Sequence, residues 1–124
     1  MQGIGGTMIN LGDKKVYLNC GHTDMRKSIN GLMTLVQDDF NLDPFSGALF
    51  VFCNKLRNRI KILEWDADGF WIYFKRLERG RFRWPTEGEE KEMILTSEEL
   101  SCLISSAKLE KKLKRNEIIE RSII

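Results

Sequence analysis

Apolar positions along the chain keep two rhythms. Met25, Ile29, Leu32, Met33, Val36 and Phe40 recur at steps of three and four, which lays one apolar stripe along a helix. Arg26, Lys27, Asn30, Thr34, Gln37 and Asp38 occupy the positions between. Thr23 offers an N-cap hydroxyl, and Asp24 puts negative charge at the positive end of the helix dipole. The pattern predicts an N-terminal helix over about 24–40. Gly31 inside it costs about 1 kcal/mol, so another backbone is expected close by. Asp43-Pro44 and Ser46-Gly47 are turn signals, and the residue before a proline leaves the helical region, so the helix stops by Asp43.

The second rhythm is that of strands. Lys15 to Cys20, Ala48 to Cys53, Arg59 to Trp65 and Gly69 to Lys75 are short runs rich in aromatic and β-branched residues. Asp68-Gly69 marks a hairpin between the last two. Phe82-Arg83-Trp84 reads as a short extended piece halted at Pro85, Thr86 to Lys91 as an acidic surface loop, and Glu92 to Leu95 as an edge strand. Thr96-Ser97-Glu98-Glu99 is a capping box, in which hydroxyl and carboxylate satisfy each other's main-chain amides. It opens a C-terminal helix over about 97–115, with Leu100, Leu103, Ile104 and Ala107 as its stripe.

These elements predict an α+β fold: one antiparallel sheet of four to five strands, the N-terminal helix on one face and the C-terminal helix nearby. Strand alternation assigns Leu49, Val51, Cys53, Ile60, Ile62, Phe70, Ile72 and Phe74 to the face under the N-terminal helix. Phe50, Phe52, Lys61, Leu63, Trp65, Trp71, Tyr73 and Lys75 fall on the other. That second set is either a base-stacking platform or a core face under the C-terminal helix, and in so small a domain the core face is the better reading.

Composition bounds the rest. A chain of 124 residues with 42% hydrophobic and 31% charged residues is one globular domain. Residues 1–7 hold three glycines and are expected to lack structure; 8–107 form the domain; 108–124 form a basic helix or tail. No apolar run approaches the roughly 20 residues of a membrane span, and no secretory signal opens the chain. Three scattered cysteines, Cys20, Cys53 and Cys102, suit a reducing, cytoplasmic setting better than a disulfide framework.

Net charge is only +2, but its distribution is uneven. Between Lys55 and Arg83 nine basic residues face four acidic ones, a local balance of +5. Arg79, Arg81 and Arg83 alternate with Gly80 and Phe82, so an extended segment would place all three guanidinium groups on one face, exposed and near Lys75 or Arg76. Guanidinium suits phosphate oxygens. With Arg57 and Arg59 these residues are the candidate nucleic-acid contacts. A protein-partner surface, or a solvated edge strand guarded by arginine, would also use such a row. The segment 108–115 adds five basic residues against one acidic.

Enzyme-like groupings are weaker. Cys20-Gly21-His22 could pair a thiol with a base, but the side chains at i and i+2 need not meet, and His22 is the one histidine. Asp66-x-Asp68-Gly69 opens like a calcium loop but lacks the distal glutamate. Asp38-Asp39 and Glu98-Glu99 point about 100° apart on their helices and cannot share a proton. Neither a catalytic site nor a metal, cofactor or small-molecule substrate is expected.

Several runs carry a resemblance. Met25-Arg26-Lys27-Ser28-Ile29-Asn30-Gly31-Leu32, Asp43-Pro44-Phe45-Ser46-Gly47, Leu49-Phe50-Val51-Phe52, Lys61-Ile62-Leu63 with Trp65-Asp66, Tyr73-x-Lys75-Arg76-Leu77-Glu78-Arg79-Gly80-Arg81-Phe82 and Trp84-Pro85 follow in order. Together, over about residues 8–106, they resemble the Orf2-like accessory proteins of insertion-sequence-66-type bacterial transposable elements. The resemblance implies a non-catalytic assistant of DNA transposition, encoded beside a separate transposase that carries the catalytic carboxylates. It supplies no site residues. The expected partners are that transposase, the DNA backbone, or both. The rival expectation is an assembly protein that touches only other proteins.

Overall fold

A computed structural model describes residues 14–85 and 90–105. The expectations for 1–7, for 86–89 of the acidic loop and for the basic segment 108–124 lie outside the described residues. Five strands form one sheet: β1 (Val16–Asn19), β2 (Leu49–Cys53), β3 (Arg59–Asp66), β4 (Gly69–Arg76) and β5 (Glu92–Leu95). Their order across the sheet is β4-β3-β2-β1-β5. The α+β expectation and its strand count hold. The sheet is mixed, however, because β1 and β2 run parallel while the other three pairings are antiparallel. A parallel pair needs a crossover, and the helical segment between β1 and β2 provides it. Among the described residues no helix is long and apolar enough to cross a membrane.

The crossover helix is shorter than its stripe predicts. Helix α1 spans Ile29–Thr34 and widens into a π-helical turn over Leu35–Asp39, where the Phe40 amide donates to the Leu35 carbonyl. Residues 24–28 form a turn instead. Thr23 does not cap the helix: it is buried, its amide donates to the Cys53 carbonyl at 2.7 Å, and its hydroxyl accepts from Asn19 Nδ2 at 2.6 Å. Asp24 accepts from the Arg26 amide and guanidinium, which hold its carboxyl well below the usual carboxylate range. Lys61 Nζ reaches from β3 and donates to the Met25 and Lys27 carbonyls, both at 2.8 Å. Those two carbonyls bond a distant ammonium. Gly31 is crowded by the Lys27 side chain, whose Cβ would lie 3.1 Å from an added methyl, and not by another backbone.

Both sheet faces are covered, and this corrects the expected face assignment. Phe50, Phe52 and Leu63 pack with Leu32, Val36 and Phe40, with Phe70 and Ile72 alongside. Leu49, Val51, Cys53, Ile60 and Ile62 pack with Leu100, Phe82 and Trp84, with Tyr73 and Leu103 against them. Helix α1 therefore lies on the face expected for the platform, and helix α2 (Ser97–Ile104) lies on the face expected for α1. The proposed platform set is itself split, since Trp71, Tyr73 and Lys75 alternate away from Phe50, Phe52 and Leu63. The reason is the turn between β3 and β4. Its two loop residues, Ala67 (φ 57°) and Asp68, pair Asp66 with Gly69, so Ile62 faces Tyr73 and Leu63 faces Ile72. Partners across strands share a face, which puts Phe70, Ile72 and Phe74 opposite to where simple alternation had them. Helix α2 begins at the predicted capping box, with the Glu99 amide on Thr96 Oγ1 at 3.0 Å and the Thr96 amide on Glu99 Oε1 at 2.8 Å. The portion of its predicted span beyond Ser105 lies outside the described residues.

Candidate nucleic-acid interface

The basic residues gather at the end of the sheet where β2 stops and β3 begins. The turn joining them is built on Asn54. Its Oδ1 accepts from the amides of Asn58 and Arg59, both at 3.0 Å, and its Nδ2 donates to Asn58 Oδ1 at 2.8 Å. Arg57 takes a left-handed conformation, φ 62°. The main-chain carbonyls of this turn then hold the segment that follows β4: the Leu77 amide donates to Asn58 O and the Phe82 amide to Arg57 O, each at 2.7 Å. Asn54→Ala should leave the Asn58 and Arg59 amides without their acceptor. We expect a loss of about 1–3 kcal/mol in urea unfolding.

From Leu77 the chain crosses this end of the sheet toward β1. Phe82 and Trp84 turn inward, only 1% and 6% exposed, and the Trp84 indole donates to Asn19 O at 2.9 Å. Arg81 and Arg83 point outward between and beside them, and Arg79 is exposed at the bend before Gly80. Segment 81–85 lies outside the sheet strands. The two buried rings alternate with Arg81 and Arg83, whereas Arg79 precedes the bend at Gly80 (φ 77°) and is not part of that alternation.

Cross-strand register adds the rest. Arg59 stands opposite Arg76, a like-charge pair that is unfavourable unless another group compensates it. Arg76 binds Glu78 at 2.9 Å. Residues 54–59 and 75–81 together carry seven basic residues against one acidic, a local balance of +6. The described ion pairs of the chain are Lys14–Glu64, Arg26–Asp24 and Arg76–Glu78, so Lys55, Arg57, Arg59, Arg79 and Arg81 have no carboxylate partner among the described residues. Leu56, at the tip of the turn, is 59% exposed amid these cations.

One predicted site residue, Lys75, also reaches away from this cluster. Lys75 is half-buried on the α2 face and donates to Ile104 O at 3.3 Å, the carbonyl end of that helix, where a cation is favoured by the dipole. Sequence reasoning also missed Lys55 and Leu56 as part of the site, although both sit beside Arg57. The enzyme-like groupings do not assemble. Cys20 is buried and His22 exposed. Burial pushes the Cys53 thiol up to about 12. Asp66 accepts the Trp71 indole at 3.2 Å as part of the hairpin. No group of three or more His, Cys, Asp or Glu that could hold a metal occurs among the described residues.

Comparison with known proteins gives the family. The model for IS66 Orf2-like proteins matches residues 14–114. A Sinorhizobium fredii protein, y4hO, is 37% identical over 91 residues, covering 73% of this chain and 78% of its own length. A second protein of that organism, y4jC, is 34% identical over 82 residues, covering 66% and 69%. No solved structure matches the chain. The match spans the strands, both helices and the basic end of the sheet, so the chain belongs to the IS66 Orf2-like family, and this membership supports an accessory role associated with transposition.

Proposed function

We propose that this protein is a non-catalytic accessory factor of transposition that grips the DNA backbone with the basic end of its sheet and acts beside the transposase of its element. The observation that carries the reading is the convergence of Lys55, Arg57, Arg59, Arg76, Arg79 and Arg81 from two chain segments onto one end, with Glu78 the single carboxylate in those segments. Guanidinium groups on a frame fixed by Asn54 and two buried rings suit phosphate oxygens and read no base sequence. Arg83, exposed on the same crossing segment, extends the strip. Lys75 supports it from behind by fixing α2.

The test uses exposed residues whose loss leaves the core intact. A Lys55/Arg79/Arg81→Ala variant should fold with an unchanged circular dichroism spectrum. Its DNA affinity should fall for all sequences alike, and the slope of log affinity against log salt should shrink by about three units. Equal affinity of variant and parent would remove the DNA reading. The assembly-protein reading would then stand, favoured by Leu56, an exposed apolar anchor between Lys55 and Arg57.

A further inference from the structure

We propose that β4 is the seam of a symmetric dimer, in which two copies of this chain join their sheets edge to edge, antiparallel about Ile72. β4 closes one side of the sheet. It is eight residues long, pairs with β3 without a bulge from Gly69 to Arg76, and contains no proline. Natural edges are usually short, bulged or charged along their length. β5, at the opposite side, is a four-residue strand of that protected kind. Trp71 and Phe74 on β4 are 55% and 53% exposed, one on each face of the edge.

The register of the hairpin fixes which main-chain groups are open. A two-residue loop is closed by a pair that exchanges both hydrogen bonds, here Asp66 with Gly69. The same holds at every second residue, so Gly69, Trp71, Tyr73 and Lys75 bond inward to β3. Phe70, Ile72 and Phe74 then turn their N–H and C=O groups outward. A two-fold axis through Ile72, normal to the sheet, aligns these three with the same three of a second copy and closes about six main-chain hydrogen bonds.

That single register also matches the side chains. Phe70 meets the partner's Phe74 on the α1 face, extending the cluster in which Phe70 already touches Phe45 and Trp65 at 5.4 and 5.0 Å. Trp71 meets the partner's Tyr73 on the α2 face, continuing the stack that Trp71 and Tyr73 form within one chain. Asp68 at the turn meets the partner's Arg76, and the acid turn of each copy lies against the basic end of the other. Centring the axis on Phe70 or Phe74 sets that one ring against its own copy, but it takes Asp68 away from the partner's Arg76 and Trp71 away from the partner's Tyr73. The occupant is thus a second copy, chosen by charge and register together.

Sedimentation of the full chain from low to high micromolar concentration should reach twice the 14.5 kDa of one chain. Phe74→Pro removes one outward N–H, a change edge strands tolerate, and should leave a folded monomer. Asp68→Lys should weaken the dimer about tenfold, and Asp68→Lys with Arg76→Asp should bring it back to within about threefold of the parent. If Phe74→Pro does not fold, this charge exchange decides. The amides of Phe70, Ile72 and Phe74 should gain exchange protection only as the dimer forms. A chain that remains monomeric overturns the proposal. So does a dimer lost on Ile94→Lys but kept in both β4 variants, or a dilute monomer whose three amides are already protected. None of these readings involves DNA, so the seam can fail while the phosphate contact stands, and the reverse.

Discussion

Ile62→Ala and Leu63→Ala should each destabilise the protein by about 2–5 kcal/mol, although the two side chains leave β3 in opposite directions. On a sheet with one wet face, one of two consecutive residues would be exposed and its truncation nearly neutral. Here Ile62 is 2% exposed against the α2 side and Leu63 is fully buried against the α1 side. Both truncations leave a cavity between sheet and helix. Losses of this size are a large share of the total stability of a domain this small. Paired urea titrations of the two variants measure it. A near-neutral Leu63→Ala would mean that α1 does not cover its face. A near-neutral Ile62→Ala would say the same of α2, Phe82 and Trp84.

Glu64→Ala should be the most damaging change to a polar residue, at roughly 2–4 kcal/mol. Glu64 is 5% exposed on the α2 face. Lys14 Nζ lies 3.0 Å from Oε2, and the Tyr73 hydroxyl donates to Oε1 at 2.7 Å. Burial, together with this hydrogen bond, pushes the Tyr73 hydroxyl well above the usual phenol range. Removing the carboxylate strands both partners. Lys14 keeps only the Gly47 carbonyl at 3.1 Å, although its partial exposure moderates the loss. Glu64→Gln retains an acceptor for Tyr73 and should cost less than half as much. Thermal melts of the two variants separate the charge from the hydrogen bond.

Most elements were legible because their signals are local. Asp68-Gly69 announced the β3–β4 hairpin, Thr96 to Glu99 announced the start of α2, and the apolar runs located β2 to β4 within a residue or two. What sequence misplaced depends on parity and distance. The loop of two residues makes odd positions of β4 face even positions of β3, and one misjudged residue exchanges the faces. Thr23 and Asp24 are good caps in isolation, yet Asn19, Cys53 and Arg26 claim them, and Lys61 claims the Met25 and Lys27 carbonyls. The parallel pairing of β1 with β2 carries no local mark. For the candidate site, the charge excess between Lys55 and Arg83 was visible as a count. Its focusing onto one end was not, because it rests on the Leu77 and Phe82 amides reaching the carbonyls of a turn some twenty residues earlier. The bond from Lys75 to the Ile104 carbonyl was hidden for the same reason.

The most direct measurement of DNA contact is the retardation of duplex DNA carrying the element end by the purified full chain, with no transposase present, across a salt series. The phosphate grip predicts a complex from the protein alone, weakening steeply with salt at a log–log slope of about −5 for the six basic groups gathered at this end. DNA bound only when the transposase is added, or an affinity that salt leaves unchanged, would contradict it.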